Sequence, residues 1–436
     1  MTGLLIAAPH SGAGKTTVTL GLLRALRRSG VTVGSAKAGP DYIDPAFHAA
    51  ASGGPCVNLD PWAMRPALIA SLAGEARHQQ GEAFVVEAMM GLFDGAADGS
   101  GSAADLASML GLTVGLVVDC AKQSHSVAAL VRGFATHRAD VAIAGLILNR
   151  VGSDRHESLL REALAPLAIP ILGVLPRQPD LALPERHLGL VQAGEHGDLD
   201  AFIERAADWI GRGCDLPALT ALAGTGPEAA VAAPQALAAP LAPLGQTIAV
   251  ARDKAFAFAY PHLLAGWRDV GAAVSFFSPL ADEAPDPAAD AIYLPGGYPE
   301  LHAGRLAAAS GFLAGTRAAA ERGAAIYGEC GGYMVLGETL TDADGKAHPM
   351  LGLLPLETSF ARRKLHLGYR RLTPVGGRPW SGPLRAHEFH YASIIAEGPG
   401  EALFRASDAR GADLGNHGLR RGRVSGSFLH VIDRES

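Results

Sequence analysis

Short apolar runs alternate with longer helical patterns through the first part of the chain. The runs lack the strict apolar–polar alternation of half-exposed strands, and fully apolar strands are typical of parallel sheets that are covered on both faces. We therefore predict strands at Leu4–Ala8, Val31–Ser35, from Phe84, at Thr113–Asp119, Val141–Leu148 and Ile171–Leu175. Because strands and helices alternate throughout, residues 1–195 are predicted to form a doubly wound domain.

The hydrophobic pattern changes after this region. Residues 198–213 have the periodicity of one helix, and residues 216–245 are mostly Ala, Pro, Leu and Gly without periodicity, so 196–245 is predicted to be a helix followed by a linker. Strand and helix patterns resume at Thr247–Ala251, and further strands are expected from Ala291 and at Ala324–Tyr327. A chain of 436 residues is too long for one core, and residues 246–436 are predicted to form a second α/β domain.

Composition narrows the function classes. The net charge of −6 disfavours a nucleic-acid partner. The four cysteines are irregularly spaced, which indicates neither a disulfide framework nor a zinc cluster. The N-terminal segment lacks a basic region that would mark a signal peptide, and no apolar run reaches the roughly 20 residues of a membrane span. We therefore expect a cytoplasmic protein in a reducing compartment.

A phosphate-binding loop is predicted directly after the first strand. Pro9-His-Ser-Gly-Ala-Gly-Lys-Thr-Thr17 precedes a helix that runs to about Ser29, which is the strand–loop–helix setting that a P-loop requires. Pro9 replaces the usual first glycine, and His10 stands where ATPases of the ParA/MinD type carry a signature lysine. The alternative is a glycine-rich turn without a ligand. The residues expected to bind ATP are Gly12, Ala13, Gly14, Lys15, Thr16 and Thr17.

Acidic residues follow two other predicted strands. Lys37-Ala-Gly-Pro-Asp-Tyr-Ile-Asp44 comes after the second strand, and the strand from Phe84 leads into a glycine-bearing loop. Ligands of α/β sheets bind at the carboxyl ends of the strands, where a few carboxylates together with substrate phosphates suit Mg²⁺. Each acid alone could equally be a solvated loop charge. The residues expected to bind Mg²⁺ or substrate are Thr16, Asp41, Glu87 and Asp94.

A cysteine with flanking glycines follows the strand at Ala324–Tyr327. Gly-Glu-Cys-Gly-Gly (328–332) has the form of a nucleophile elbow, which makes Cys330 a candidate nucleophile rather than a buried structural cysteine. The Gly331 amide would face the developing oxyanion, and Gly297, in the double glycine that ends the strand from Ala291, could supply a second donor. A cysteine nucleophile needs a base, and His430, near the end of a C-terminal strand, is the candidate.

These motifs together resemble the cobyrinic acid and hydrogenobyrinic acid a,c-diamide synthases of cobalamin biosynthesis over nearly the whole chain. The specific segments are Lys37–Asp44, Glu87-Ala-Met-Met-Gly-Leu-Phe-Asp-Gly95, Gly328-Glu-Cys-Gly-Gly-Tyr333 and His387-Glu-Phe-His-Tyr391. The resemblance implies an N-terminal P-loop domain like dethiobiotin synthetase and a C-terminal class I glutamine amidotransferase domain.

The resemblance also implies a reaction and further site residues. Cys330, with His430 as base, releases ammonia from glutamine. ATP-Mg²⁺ phosphorylates the a and c acetate carboxylates of a corrinoid acid, and ammonia then displaces the phosphate. Asn149 and the Pro176-Arg177 turn are expected near the adenine, and Tyr42 and Ile43 near the substrate. The family lacks the usual glutamate two residues after the histidine, which leaves Asp433 or a backbone carbonyl as its orienting partner.

Several alternatives remain at this level. Sibling enzymes are cobyric acid synthase and nickel-sirohydrochlorin a,c-diamide synthase, and the Lys37–Asp44 and Glu87–Gly95 loops favour the a,c-diamide branch. A P-loop switch protein leaves the cysteine elbow unexplained, and an ATP-dependent carboxylase like dethiobiotin synthetase leaves residues 246–436 without a role. We interpret His387 and His390 as structural rather than as metal ligands. A homodimer is also expected.

Overall fold

The computed structural model describes residues 3–182, 185–186, 189–224 and 240–435. The chain divides into two compact units. The first comprises Met1–Trp62 and Pro66–Ala238, and the second comprises Ala63–Arg65 and Ala239–Ser436. Among the described residues, no helix is both long and apolar enough to span a membrane.

The first unit is built on a parallel seven-stranded sheet whose order is β3-β2-β4-β1-β5-β6-β7. Its strands are β1 (Leu4–Ala7), β2 (Val33–Ala38), β3 (Cys56–Leu59), β4 (Ala83–Glu87), β5 (Thr113–Asp119), β6 (Ile143–Val151) and β7 (Ile171–Pro176); β8 (Glu185–Arg186) and β9 (Gly189–Leu190) form a separate ribbon. Its helices are α1 (Lys15–Arg28), α2 (Asp44–Ser52), α3 (Pro66–Gln80), α4 (Ala103–Leu110), α5 (Val127–Thr136), α6 (Asp154–Leu164), α7 (Leu199–Gly213) and α8 (Leu216–Ala223).

The predicted strands of this unit are confirmed, with shifted ends. Strands β1 and β4 are buried along their whole length, as fully apolar sequences require. The sequence pattern missed β3, because Cys-Val-Asn-Leu is short and contains a polar residue. Strand β1 lies between β4 and β5, which places the loop after β1 near the middle of the carboxyl edge.

The region predicted as helix and linker contains two helices. The predicted helix 198–213 is confirmed as α7, which packs on α1 so closely that a Cβ at Gly21 would lie 2.6 Å from the Ala206 carbonyl oxygen. The prediction of a linker from 216 is wrong at its start, because α8 occupies Leu216–Ala223. Asp215 caps this helix by accepting from the Ala218 N–H at 3.0 Å, and proline stands in its first turn. Residues 225–239 of the predicted linker lie outside the described residues.

The second unit contains a ten-stranded sheet of order β11-β10-β12-β13-β22-β21-β20-β17-β18-β23 and a four-stranded sheet of order β15-β14-β16-β19. Its strands are β10 (Thr247–Ala251), β11 (Ala273–Phe277), β12 (Ala291–Leu294), β13 (Ala325–Glu329), β14 (Thr339–Thr341), β15 (Ala347–Pro349), β16 (Leu356–Ser359), β17 (His366–Pro374), β18 (Leu384–His390), β19 (Ser393–Glu397), β20 (Glu401–Asp408), β21 (Asp413–Arg421), β22 (Val424–Ser427) and β23 (Leu429–Arg434). Its helices are α9 (Pro261–Asp269), α10 (Ala303–Ala308), α11 (Ser310–Glu321) and α12 (Gly331–Leu336).

The predicted α/β class is confirmed for both units, but the second sheet is mixed. Strands β11, β10, β12, β13 and β22 run parallel, whereas the pairings beyond β22 are antiparallel. The alternation of strands and helices that the sequence predicted therefore ends at α12. The parallel part is the part that matters for the site, because the loops after β12, β13 and β22 meet at one edge of the sheet.

Candidate active sites

The loop between β1 and α1 has the backbone that a phosphate cradle requires. Gly12 and Gly14 adopt φ values of 78° and 97°, which residues with a Cβ rarely adopt. Gly14 also lies against Asn149 at the carboxyl half of β6, since a Cβ at Gly14 would be 2.3 Å from Asn149 Nδ2. Asn149 Nδ2 donates to the Ala13 carbonyl oxygen at 2.9 Å. The structure thus places Asn149 as a support of the loop, while its expected contact with adenine stays a prediction.

Lys15 is held at the base of this loop. Its Nζ donates to the carbonyl oxygen of Met90 at 2.6 Å and to that of His10 at 3.3 Å. Met90 belongs to the loop after β4 and has a φ of 56°, an uncommon conformation for a residue other than glycine. Burial lowers the pKa of Lys15 to about 8. The two predicted loops, after β1 and after β4, are therefore joined through this ammonium group.

Glu87 lies at the centre of a buried network of charged groups. Its Oε1 accepts from Thr16 Oγ1 at 2.7 Å and from Lys37 Nζ at 2.8 Å, and its Oε2 lies 2.6 Å from His48 Nε2. Lys37 Nζ also lies 2.5 Å from Asp44 Oδ2. Three of the loops that the sequence singled out therefore converge, as predicted from their positions after parallel strands.

The network stabilises the charged forms of Glu87, Lys37 and His48, whereas burial raises the pKa of Asp44 to about 6. Burial acts to raise the pKa of Glu87, but Lys37 and His48 outweigh it and hold that pKa below its ordinary value. Burial acts to lower the pKa of Lys37, and Asp44 and Glu87 outweigh it and raise that pKa. The pKa of His48 is raised to about 10, because contacts with Cys56 and Glu87 outweigh its burial. The group behaves as a compensated cluster of fixed charges.

His48 was not recognised from the sequence as part of this site. The signal was available, because His48 follows Asp44 by one helical turn on α2 and therefore lies on the same face of that helix. The sequence indicated Asp44 only as the last residue of the Lys37–Asp44 motif. Its contact with Lys37 makes it a member of the network.

The other expected ligands of Mg²⁺ or substrate are nearer to the surface. Asp41 Oδ1 accepts from the N–H groups of Ile43 at 2.8 Å and Asp44 at 2.9 Å, and thereby shapes the turn before α2. Asp94 is exposed, and its Oδ2 accepts from the Gly91 N–H at 2.9 Å. Tyr42 is half-buried, whereas the side chain of Ile43 is buried. Asp41 is thus half-buried and Asp94 exposed, whereas Glu87 is fully buried.

The second site is centred on Cys330, between β13 and α12. Cys330 has φ 47° and ψ −103°, a strained conformation for a residue that carries a Cβ. Its N–H donates to the Ser427 carbonyl oxygen at 2.8 Å and its own carbonyl oxygen accepts from the Met334 N–H at 3.1 Å, which hold the turn. This is the geometry of a nucleophile elbow.

His430 lies beside Cys330, with Gly296 between them. A Cβ built on Gly296 would lie 2.4 Å from His430 Cε1, 3.2 Å from His430 Nε2 and 3.3 Å from Cys330 Cβ. Both residues therefore border one small space that only glycine leaves open. Burial raises the pKa of the Cys330 thiol, and burial together with the neighbouring His387 and His390 lowers the pKa of His430 to about 3. The pair is neutral in this state.

The two glycines expected to form an oxyanion hole are adjacent. A Cβ built on Gly331 would lie 3.0 Å from the backbone nitrogen of Gly297 and 2.9 Å from Pro299 Cδ. A Cβ on Gly297 would lie 2.1 Å from the Ala255 carbonyl oxygen, so this position also requires glycine. The structure brings the two predicted amides together, and their catalytic role stays a prediction.

Glu329 is the acidic residue near His430 that sequence reasoning missed. Its Oε2 lies 3.8 Å from His430 Nδ1, and the carboxyl group accepts from Tyr293 Oη at 2.7 Å and from the Val431 N–H at 3.1 Å. Asp433, which the sequence offered as one possible partner of His430, instead binds the backbone N–H and guanidinium of Arg65. Burial raises the pKa of Glu329 to about 7. Its position directly before the nucleophile was the only available signal.

Comparisons with known proteins assign a different kind of domain to each of the two units. Residues 4–191 match the model of a CobQ/CobB/MinD/ParA nucleotide binding domain, and residues 247–436 match a CobB/CobQ-like glutamine amidotransferase domain. The chain is 65% identical to a hydrogenobyrinate a,c-diamide synthase of Brucella anthropi, with 99% of each chain covered. It is 64% identical to the enzyme of the same name from Rhizobium meliloti, again with 99% of each chain covered, and 53% identical to that of Rhodobacter capsulatus, with 99% of this chain and 98% of the relative covered. The chain therefore belongs to the hydrogenobyrinate a,c-diamide synthase family.

Proposed function

We propose that this protein uses ATP and glutamine to convert the a and c acetate carboxylates of hydrogenobyrinate into amides. The observation that carries the proposal is the pairing of two sites in one chain. A strained Cys330 beside His430 suits the release of ammonia from an amide, and a P-loop above a buried charge network suits phosphoryl transfer. The name that the full-length relatives share, hydrogenobyrinate a,c-diamide synthase, supports the metal-free macrocycle as the acceptor.

The glutaminase half of the reaction follows from the geometry around Gly296. The Cys330 thiol transfers its proton to His430 Nε2 while the sulfur attacks the carboxamide carbon of glutamine. The N–H groups of Gly297 and Gly331 stabilise the oxyanion, and His430 returns the proton to the departing ammonia. Water then hydrolyses the thioester to glutamate and free Cys330. The raised pKa of the Cys330 thiol and the lowered pKa of His430 keep both groups neutral before glutamine binds, and both shifts oppose the proton transfer until the substrate is in place.

The synthetase half requires a leaving group, because a free carboxylate is a poor acyl donor. The terminal phosphoryl group of ATP is transferred to an acetate oxygen, which gives an acyl phosphate and ADP. Ammonia attacks the acyl carbon and inorganic phosphate leaves, and the cycle repeats on the second acetate. Lys15 and the amides of the loop from Gly12 to Thr17 neutralise and orient the phosphates.

Hard oxygen ligands for Mg²⁺ are present beside this loop. Thr16, Asp41 and Asp94 offer a hydroxyl group and carboxylates, which are the donors that Mg²⁺ prefers. Bound Mg²⁺ would neutralise phosphate charge. Glu87 fits this role less well, because its oxygens already accept from Thr16 and Lys37 and contact His48. We assign Glu87 to positioning Lys37 and Thr16, and Asp41 and Asp94 to the metal or the substrate. Tyr42 is assigned to the substrate, whereas Ile43 contributes its backbone turn.

A count of new amides by mass spectrometry tests the proposal. The protein is incubated with ATP-Mg²⁺ and glutamine, and with hydrogenobyrinic acid, cobyrinic acid or nickel sirohydrochlorin in separate tubes. We expect two new amides on hydrogenobyrinic acid. If glutamine is hydrolysed but hydrogenobyrinic acid gains no amide, this acceptor is rejected. Amidation of cobyrinic acid or nickel sirohydrochlorin instead of hydrogenobyrinic acid would favour a sibling enzyme.

Two further expectations accompany this function. Cys56, Cys120, Cys214 and Cys330 are all free thiols, which supports a reducing, cytoplasmic setting for the reaction. The expected homodimer stays a prediction, and light scattering of the purified protein would measure it directly.

A further inference from the structure

Three potential metal ligands meet in the second unit, apart from Cys330. Strands β17 and β18 pair antiparallel with His366 directly opposite His390. The two imidazole rings stack with centroids 4.6 Å apart and an angle of 2° between their planes, so one ring has to turn before the in-plane lone pairs of both can bind the same ion. Glu388 lies two residues before His390, on the same face of β18. Ligand atoms of His366, Glu388 and His390 all lie within 4.8 Å of one another.

The tertiary structure places His390 beside a histidine other than His387, its neighbour in the sequence. His387 and His390 are three residues apart on a strand, so their side chains leave opposite faces. His387 instead contacts Tyr369 edge to face and lies opposite His430 in the strand register. The partner of His390 is His366, from a neighbouring strand. No spacing in the sequence reveals this pair.

The hydrogen bonds of His390 require a proton or a cation between its ring and Glu388. Its Nδ1 lies 3.1 Å from the Ala392 carbonyl oxygen, which can only accept, so Nδ1 carries a hydrogen. In the neutral imidazole, Nε2 is then an acceptor, yet it lies 3.1 Å from Glu388 Oε1, which is another acceptor when ionised. Either a proton or a metal cation must separate these two atoms. We propose that His366, Glu388 and His390 bind a borderline divalent metal ion such as Zn²⁺.

The surrounding groups orient the ligands as the outer shell of a metal site does. Arg370 contacts Glu388 Oε2 through Nε at 2.9 Å and through Nη2 at 2.6 Å, which turns Oε1 toward His390. The Ala392 carbonyl fixes the tautomer of His390 in the same way. Contacts of this kind orient metal-binding carboxylates and histidines in proteins.

A cavity of about 340 Å³ adjoins the three ligands and is also lined by Lys364, His417 and Phe428. Three protein ligands beside an open space correspond to a site that keeps one coordination position for water or an exchangeable ligand. Lys364 and Arg370 add positive charge nearby, so the additional ligand is expected to be anionic. The cavity is also connected to the elbow, because Phe428 stacks on His390 at 3.9 Å and contacts Tyr333 of α12 edge to face at 5.4 Å.

Zinc binding to the full-length protein tests the proposal. All proteins carry Cys330→Ala, so that this thiol cannot bind the metal. Isothermal titration with Zn²⁺ is expected to show one site per chain, and His366→Ala and His390→Ala are each expected to weaken binding by at least about 100-fold. Replacement of Zn²⁺ by Co²⁺ is expected to give visible absorption bands that Glu388→Gln alters. His125→Ala is the control, since His125 is an exposed histidine that belongs neither to the cluster nor to the lining of the cavity.

The competing state is a protonated His390 paired with Glu388, and the same proteins distinguish it. If the parent protein and its His390→Ala variant bind Zn²⁺ equally, or neither binds it, the proposal is wrong. Nuclear magnetic resonance of the His390 ring would then show a hydrogen atom, and no metal, between His390 and Glu388. Circular dichroism identifies any variant that fails to fold, and His366→Asn replaces His366→Ala in that case.

Discussion

The two sites lie in equivalent places on their sheets but use opposite electrostatic strategies. Each is formed by glycine-bearing loops at the carboxyl ends of parallel strands. The site of the first unit contains a buried cluster of charged groups around Glu87, with the charged forms of Lys37 and Glu87 stabilised by each other. The site of the second unit contains a neutral Cys330 on strained backbone beside a neutral His430.

The difference reflects the two reactions that we propose. Phosphoryl transfer involves little covalent chemistry for the protein, so fixed charges that position phosphates account for most of the catalysis. Acyl transfer from glutamine needs a nucleophile whose proton can move in the transition state, and a neutral pair retains that proton until the substrate arrives. Variants that remove a charge should therefore damage the first site, and variants that replace the nucleophile or displace its base should damage the second.

The largest effect is expected from Cys330→Ser. Glutamine-dependent amide formation should fall by at least about 10³-fold, because the hydroxyl group is a much weaker nucleophile than sulfur here. Amide formation from added ammonium chloride should persist, because the first site is unchanged. Mass spectrometry of the macrocycle with each nitrogen source measures both rates. Equal loss with both sources would contradict the separation of the two reactions.

Lys15→Met should produce the opposite pattern. Removal of the ammonium group should lower amide formation from either nitrogen source by about 10²–10³-fold, because one phosphate contact of the transition state is lost. Basal glutamine hydrolysis should remain, as measured by glutamate release. Lys254→Met, which alters a lysine outside the loop, is the control. A matching loss of glutamate release would show that the sites are coupled.

Glu87→Gln should destabilise the first unit by about 3–5 kcal/mol, because it leaves Lys37 and His48 buried without their main anionic partner. Hydrogen exchange of peptides from β1 and β4 measures the opening free energy of this unit. The exposed Glu162→Gln serves as control and should change stability by less than about 0.5 kcal/mol. Equal protection in both variants would refute the role of the network.

Glu329 should give the second unit a pH dependence that Glu329→Gln removes. Its folded pKa of about 7 lies above the ordinary 4.5, so its contribution to stability is complete below pH 4.5 and is lost as pH rises through 7. The loss should be about 3 kcal/mol. Urea unfolding of both proteins between pH 5 and 8 tests this, and parallel stability profiles would contradict it.

The smallest effect is expected from Gly296→Ala. The added Cβ would lie 2.4 Å from His430 Cε1, so the ring must move away from Cys330. Glutaminase kcat/KM should fall by about 10–100-fold, because misplacement of a catalytic base costs rate without removing it. Ammonia-dependent synthesis should be unaffected. Gly304→Ala, whose Cβ would make only an ordinary contact with His348 at 3.5 Å, should retain both activities.

The sequence predicted the positions of the loops better than the contacts inside them. The apolar runs located the parallel strands, and the glycines identified both turns, because these signals are local. The partners of Glu87 and His430 were harder to find. His48 meets Glu87 only through the packing of α2 on the sheet. Glu329 of β13 lies near His430 of β23 because β13 pairs with β22, the strand directly before β23. Helix α8 was missed because composition outweighed its capping residues.

The amino-acid sequence alone determined the class of the fold and the family. It also located the turn that carries the nucleophile and the loop that is expected to bind phosphate. Apolar strand runs and turn-forming glycines are encoded within short stretches, and full-length identity to known relatives needs no coordinates. Only the tertiary structure decided that Glu87 is enclosed by Lys37 and His48, that Asp433 binds Arg65, and that His366 faces His390. These contacts join residues distant along the chain, and their distances follow from strand order and register, which packing of the whole sheet selects.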